Sequence, residues 1–254
     1  MLKMSDLYHA RLVGGQNLTK TRPLFSQNSE KLFIPHDNLV LGFLIRNGKL
    51  NQIISLNEKH ASFKEEHAAI CLHPISPDFQ LFSFTRAGSV FSWNYDDSSL
   101  IKEYDLGLIS LLDRDCELVW ATAKNYYYDA SNHLVVYFVV RYLADNGKPH
   151  FKLYATPLDD LSFKQELIDL KVFDLKRIAF GRNQDYLILI DKNEIYFVGL
   201  RNGFKRDESA QAKPINSKKR FLFKDKLKIV CCNPLKDQIA YTCKSPVVLR
   251  FSVC

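Results

Sequence analysis

The sequence lacks a long hydrophobic run. Its longest purely apolar stretch is LVVYFVV at 134–140, whereas a membrane-spanning helix needs roughly 20 apolar residues. The first ten residues, MLKMSDLYHA, contain neither an apolar centre nor a small-residue cleavage site, so we expect no secretory signal. Together these absences favour a soluble intracellular protein.

Paired cysteines are also missing. Six cysteines occur, at 71, 116, 231, 232, 243 and 254, and no two have the Cys-x-x-Cys spacing of zinc or redox sites. A disulfide framework is unusual in a chain this large and with 46% hydrophobic residues. We therefore expect reduced, mostly buried thiols and a reducing compartment.

Recognised catalytic motifs are scarce. There is no Gly-x-Ser-x-Gly elbow, and Gly14-Gly15 is not followed by the Lys-Ser/Thr pair of a phosphate loop. Three acid pairs could suggest a five-bladed glycosidase, namely Glu65-Glu66, Asp96-Asp97 and Asp159-Asp160. A glycosidase needs two converging carboxylates, but neighbouring strand residues point to opposite faces. Solvated turn acids are the favoured interpretation, so the sequence predicts neither an enzyme nor a cofactor.

One stretch concentrates metal-ligand types. It contains His60, Glu65, Glu66, His67, Cys71 and His73. Structural zinc sites combine four ligands with short paired spacings, and this stretch has no such pair. The sequence therefore predicts no metal site.

Aromatic residues are abundant, at 13% of the chain, which favours β-strands. Apolar and polar residues alternate over short stretches separated by turn residues, and this pattern recurs five times. The copies lie at 22–45, 70–95, 118–140 (with 151–156), 177–200 and 228–251. A period of roughly 50 residues with three or four strands per unit is typical of β-propeller blades. A β-sandwich is the alternative, but its turns recur without this longer period.

The sequence thus predicts an all-β WD-repeat β-propeller with about five blades, a partial form of a seven-bladed ring, as one domain over 1–254. Copy two carries the WD-repeat details, because Trp93-Asn94 stands where such a repeat ends in Trp-Asp. His67, Ser83 and Trp93 are predicted to form the hydrogen-bond network that joins the strands of a blade. Ala87 replaces the turn Asp that would complete it.

Charge is concentrated in one segment. Residues 201–228 hold ten Lys or Arg against Asp207, Glu208 and Asp225, a net charge of +7 that equals the charge of the whole chain. The segment is predicted to be an insert loop, and its candidate RNA- or partner-binding residues are Arg201, Lys205, Arg206, Lys218, Lys219, Arg220, Lys224, Lys226 and Lys228. A solvated loop, a phosphate-contacting loop and a nuclear-import patch all remain open for Lys218-Lys219-Arg220.

Tyr126-Tyr127-Tyr128 could stack on bases, although packing between blades is favoured.

With this register, the chain resembles the N-terminal propeller of the WD repeat-containing protein 75 family. The similarity lies in RLVGGQNLTKTRPLFSQNSEKLFI (11–34), LFSFTRAGSVFSWNY (81–95), RIAFG (177–181) and the basic segment before IVCCNPLKDQIAY (229–241). The order of these features, more than any one motif, makes the resemblance.

The resemblance implies a non-catalytic scaffold of the small-subunit processome. Its implied partners are other processome WD-repeat proteins and pre-rRNA or small nucleolar RNA, with a place in the nucleolus and nucleus and support of RNA polymerase I transcription. It implies no membrane and no small-molecule substrate. The alternative is a generic WD-repeat adaptor for protein interactions, in which the basic segment is only solvated surface.

Overall fold

A computed structural model describes residues 22–46, 49–56, 65–112, 114–128, 131–170, 178–180, 186–191, 194–199, 219–222, 229–232, 238–242 and 247–250. In these ranges the chain forms nineteen strands in five antiparallel sheets and one short helix. No helix in this part of the chain has the length and apolar character needed to cross a bilayer.

The first two sheets have four strands each, hydrogen-bonded in chain order. The first contains β1 (Leu24–Phe25), β2 (Lys31–His36), β3 (Leu39–Arg46) and β4 (Lys49–Leu56). The second contains β5 (His67–Leu72), β6 (Gln80–Thr85), β7 (Ser89–Asn94) and β8 (Ser99–Asp105).

The other three sheets follow along the chain, and a helix, α1 (Leu108–Leu112), precedes them. The third contains β9 (Cys116–Tyr128), β10 (Ser131–Leu143), β11 (Pro149–Pro157) and β12 (Gln165–Leu170). The fourth contains β13 (Ile178–Phe180), β14 (Tyr186–Asp191), β15 (Glu194–Gly199) and β16 (Lys219–Leu222). The fifth contains β17 (Ile229–Cys232), β18 (Gln238–Thr242) and β19 (Val247–Arg250).

The chain divides into two compact units. One consists of 1–142 with 156–163, and the other of 143–155 with 164–254. Within the first unit β5 packs against both β1 and β9, and within the second β13 packs against β17. Contact between the first strands of consecutive sheets is how neighbouring blades of a propeller cover each other's faces.

The strands of the second sheet show why the sheets stack. β6 and β7 contain three Phe residues, and nine of their twelve residues are buried, on both faces of the sheet. β8 at the sheet edge is mostly exposed. Strands buried on both faces need a neighbouring layer on each side. The core between the first two sheets supplies one such layer and consists of Phe33, Val40, Leu56, Leu81, Phe91, Trp93 and Tyr95.

The predicted five-copy pattern is confirmed, since each copy falls in one sheet. The helix α1 had no sequence signal. The predicted insert loop 201–228 also contains a strand, because β16 pairs with β15. The prediction of a single propeller domain over 1–254 stays a prediction.

Candidate functional site: the turn end of the second sheet

Ser83 and Trp93 lie on neighbouring strands of the second sheet. Ser83 on β6 pairs with Phe91 on β7, and Trp93 follows two residues later on the same face. The indole Nε1–H of Trp93 donates a hydrogen bond of 2.8 Å to Ser83 Oγ, and both residues are fully buried. The two side chains therefore join β6 to β7 inside the core, as the sequence pattern indicated.

His67 does not complete this network. Its Nε2 lies 3.1 Å from the carbonyl oxygen of Asn38, in the turn between β2 and β3. A carbonyl only accepts, so Nε2 carries the proton, and the buried Nδ1 has no hydrogen-bond partner. Burial lowers the pKa of His67 to about 4, against a smaller opposing effect of the Asn38 carbonyl. The predicted place of His67 in the network with Ser83 and Trp93 was wrong, because its ring binds the preceding sheet.

Glu65 stabilises the turn in which Ala87 replaces the expected Asp. Its Oε2 accepts hydrogen bonds from Thr85 Oγ1 at 2.6 Å and from Ser89 Oγ at 3.2 Å. Thr85 Oγ1 in turn accepts from the Ser89 backbone N–H at 3.0 Å. The carboxylate thus bridges both sides of the β6–β7 turn. Sequence reasoning missed Glu65 because it lies outside the positions of the WD-repeat pattern.

Two backbone hydrogen bonds link consecutive sheets at this same end. The N–H of His67 donates to Asp37 O at 2.8 Å, and the N–H of Leu118 donates to Arg86 O at 2.8 Å. Each bond joins a sheet's first strand, β5 or β9, to the turn between the second and third strands of the preceding sheet. The same type of bond therefore recurs at β5 and at β9.

Arg86 is the centre of a surface ion-pair chain. Its Nε lies 2.9 Å from Glu66 Oε2, and its Nη1 lies 3.4 Å from Glu117 Oε2. Glu117 Oε1 also lies 2.7 Å from Arg141 Nη1. All four side chains are a third to a half exposed. These ion pairs therefore orient the side chains but add little to the free energy of folding.

Helix α1 covers the β6–β7 turn. Gly88 in that turn has a φ of 102°, and a Cβ there would lie 2.6 Å from Leu108 Cγ. Leu108 is buried against this turn, while the next residue, Ile109, is 89% exposed. Helix α1 thus buries one leucine on the turn and leaves its next side chain in solvent.

The predicted basic residues lie mostly outside the described residues. Only Lys219 and Arg220 fall within them, on β16, where they pair with Phe197 and Tyr196 of β15. Arg201, Lys205, Arg206, Lys218, Lys224, Lys226 and Lys228 fall outside. Their role in RNA or partner binding stays a prediction.

The predicted tyrosine cluster lies on the β9–β10 hairpin. The backbones of Tyr126, Tyr127 and Tyr128 continue β9 and pair with 131–133 of β10. β5, the neighbour of β9, ends at Leu72, and Thr122 lies beside Cys71 near that end. The side chains of the three tyrosines fall outside the described residues, so base stacking and packing between blades both stay predictions.

Side chains able to ligate metal are dispersed in the described ranges. No group of three or more His, Cys, Asp or Glu there is placed to hold an ion. His73 Nδ1 accepts the backbone N–H of Ser76 at 3.1 Å, and its ring packs 4.8 Å from that of Phe82. Burial raises the pKa of the Cys71 thiol to about 12, against smaller effects of Ala123 and Thr122. Both side chains thus serve structural contacts.

No family model and no curated protein sequence matches the chain. Solved structures do match it. The β-propeller domain of Myceliophteria thermophila Cps50 (Swd1) matches at a TM-score of 0.50 and 11% identity, over 89% of this chain and 67% of that one. U3-55K matches at a TM-score of 0.51 and 10% identity, over 86% of this chain and 58% of that one. Saccharomyces cerevisiae Sqt1 matches at a TM-score of 0.48 and 11% identity, over 85% of this chain and 53% of that one.

At these identities the likeness concerns the fold alone, and the chain spans 53% and 58% of the Sqt1 and U3-55K chains. The five antiparallel sheets and the likeness to Swd1 and U3-55K agree with the architecture that the repeats indicated. The chain has the all-β fold of WD-repeat β-propellers.

Proposed function

We propose that this chain is a non-catalytic scaffold of ribosome biogenesis that binds partner proteins and pre-rRNA or small nucleolar RNA. The propeller supplies a rigid frame, and the loops and strand edges supply the contacts. Nucleolar location, rRNA processing and support of RNA polymerase I transcription follow from the resemblance to the WD repeat-containing protein 75 family. The propeller fold agrees with that resemblance.

The concentration of charge in 201–228 is the observation that carries RNA binding. The segment accounts for the full net charge of +7, so the rest of the chain is electrically balanced. A local excess of Lys and Arg attracts phosphate, and phosphate contacts dominate the affinity of proteins for nucleic acids. Lys219 and Arg220 lie on a strand, which gives part of the segment a fixed backbone.

The acid pairs support a non-catalytic role. Glu65 binds Thr85 and Ser89, whereas the adjacent Glu66 binds Arg86. Asp159 lies 3.4 Å from His133, and Asp160 accepts a hydrogen bond from Ser162. Each acid has its own structural partner, while a glycosidase needs two carboxylates that converge on one substrate.

The salt dependence of RNA binding tests the proposal. The test variant carries Lys218→Ala, Lys219→Ala and Arg220→Ala, and single-stranded pre-rRNA fragments are titrated with the intact chain over a range of salt. Removing three phosphate contacts makes the slope of log K against log salt shallower by about 2–3 units. A matched control removes three other positive charges, by Lys102→Ala, Lys148→Ala and Lys164→Ala, and retains the original slope. An unchanged slope in the test variant excludes the basic segment from RNA binding.

A second candidate function is a generic adaptor for protein complexes. The observation that favours it is the propeller fold itself, whose loops and strand edges are available for protein contacts. Imaging of the tagged full-length protein separates the two candidates. Nucleolar signal agrees with the first, and a diffuse cytoplasmic signal contradicts it and favours the adaptor.

A further inference from the structure

Three loops of the first unit meet at Tyr95, at the end opposite the β6–β7 turn. They are the β1–β2 turn (26–30), the β5–β6 loop (73–79) and the β7–β8 turn (95–98). Tyr95 Oη donates to Pro77 O at 2.9 Å, and the Tyr95 backbone N–H donates to Phe79 O at 2.9 Å. The Tyr95 ring packs 4.9 Å from Phe33 on β2. These contacts hold the loops of two sheets in one fixed arrangement.

The loops and the adjoining end of β1 present large apolar side chains to solvent. Phe25, Ile75 and Phe79 are 50%, 46% and 41% exposed, and they are half of the large apolar side chains with such exposure among the residues described. Leu24 and Leu72, which lie just before Phe25 and Ile75 in the chain, pack against the core that contains Tyr95. The exposed side chains therefore sit on a well-packed base. Several exposed apolar side chains on loops that share a well-packed base favour an interaction surface.

The same loops are acidic. Residues 26–30, 73–79 and 95–98 with Lys31 contain Glu30, Asp78, Asp96 and Asp97 against that single lysine, a net charge of −3 in a chain of +7. Lys31 is occupied, since its Nζ pairs with Asp96 and lies 4.8 Å from the Tyr95 ring centre. Burial, Asp96 and Asp78 together raise the pKa of Tyr95 to about 12, which shows that both carboxylates act on the centre of this surface.

We propose that this surface, the Tyr95 face (Phe25, Ile75, Asp78, Phe79, Asp96 and Asp97), binds a segment of a partner protein that combines Lys or Arg with large apolar side chains. The apolar side chains of the segment cover Phe25, Ile75 and Phe79. Its cations meet the carboxylates of the two flanking turns, so the charges of the two sides are complementary. Nucleic acid is disfavoured as the occupant because its phosphates carry the same sign as the face. The inference is independent of RNA binding by 201–228.

Peptide binding to the intact chain tests the proposal. The probe is a fluorescein-labelled peptide that alternates Lys with Leu and Phe, and its binding is followed by anisotropy. Phe25→Ser, Ile75→Ser and Phe79→Ser together weaken binding by about tenfold or more, because anchoring apolar contacts dominate such interfaces. The matched control changes the other three large apolar residues that are similarly exposed in the described ranges, by Ile101→Ser, Ile109→Ser and Leu143→Ser, and retains the affinity of the original chain.

A second variant tests the charges without touching the apolar residues. Asp78→Asn, Asp96→Asn and Asp97→Asn weaken binding and reduce its dependence on salt. Glu103→Gln, Asp115→Asn and Asp145→Asn remove the same charge elsewhere and leave the affinity and its salt dependence unchanged. Circular dichroism of every variant establishes that the fold is intact.

Several results would overturn the proposal. These are no measurable binding by the original chain, equal losses in test and control variants, or equal affinity for a peptide with Glu in place of Lys. Displacement of the bound peptide by RNA would assign the face to nucleic acid. Self-association in sedimentation that disappears in the Phe25, Ile75 and Phe79 variant would assign it to a second copy of this chain.

Discussion

The indole N–H of Trp93 donates to the hydroxyl of Ser83 across 2.8 Å, with both side chains fully buried between neighbouring strands. A buried hydrogen bond matters most through the cost of losing one partner, since the remaining group can no longer reach water. This bond is therefore the part of the predicted blade network that the fold depends on most.

Ser83→Ala tests that dependence. The variant removes the acceptor of the Trp93 indole inside the core and is expected to lower the free energy of unfolding by about 1–3 kcal/mol. Urea unfolding followed by tryptophan fluorescence measures the loss, because both tryptophans, Trp93 and Trp120, lie in the first unit. Ser99→Ala on the exposed β8 is the control, with an expected change within about 0.5 kcal/mol. Equal effects would show that the buried bond contributes no more than a surface serine.

The pH dependence of stability tests the position of His67. Burial lowers its pKa from 6.5 to about 4 in the folded chain, and unfolding restores the ordinary value. Between those two pH values the unfolded state binds more protons. The free energy of unfolding therefore falls as pH drops below about 6.5, and the loss is complete near the folded pKa.

From pH 7 to pH 5 the His67 contribution falls by about 2 kcal/mol. Urea unfolding of the original chain and of His67→Gln at both pH values isolates this group, because glutamine does not titrate. The difference in stability between the two proteins is expected to shrink at pH 5. A difference that stays constant would mean that the imidazole is not buried in its neutral form.

Gly88 and Gly147 form a natural pair for testing the contact with α1. Both have positive φ, at 102° and 71°, but only Gly88 has an atom, Leu108 Cγ, where a Cβ would be placed. Gly147→Ala is expected to cost about 1 kcal/mol from backbone strain alone, and Gly88→Ala about 3 kcal/mol from strain and overlap together. Thermal or urea unfolding of the two variants measures the difference.

A double variant, Gly88→Ala with Leu108→Ala, tests whether overlap with the Leu108 side chain causes the extra destabilisation. If overlap with Leu108 is responsible, the double variant is less destabilised than the sum of the single variants by more than about 0.5 kcal/mol. Additive effects would place the cost in the backbone and not in the packing of α1.

The sequence predicted those features that depend on local pattern. Five copies of alternating strands predicted five sheets, and the spacing of Ser83 and Trp93 predicted their contact because both lie within one hairpin. The contact of His67 with Asn38 was not predictable, since it depends on how two sheets pack. The same holds for the use of Glu65 in place of the turn Asp, a contact that depends on how the chain enters β5.

Short elements fixed by tertiary contacts were also missed. α1 has only five residues, too few to be stable alone, and it forms where Leu108 packs against Gly88. Lys219 and Arg220 were assigned to a loop because of their charge, although the pairing of β16 with β15 makes that segment part of a sheet. Charge indicated a binding segment but carried no information on strand pairing.

Ultraviolet cross-linking in cells tests the central claim, RNA binding by a propeller scaffold, most directly. The full-length protein is purified after irradiation, the bound RNA is sequenced, and the cross-linked peptides are identified by mass spectrometry. The account predicts enrichment of pre-rRNA or small nucleolar RNA, with cross-links in 201–228. Absence of enriched RNA, or cross-links confined to other segments, would contradict it.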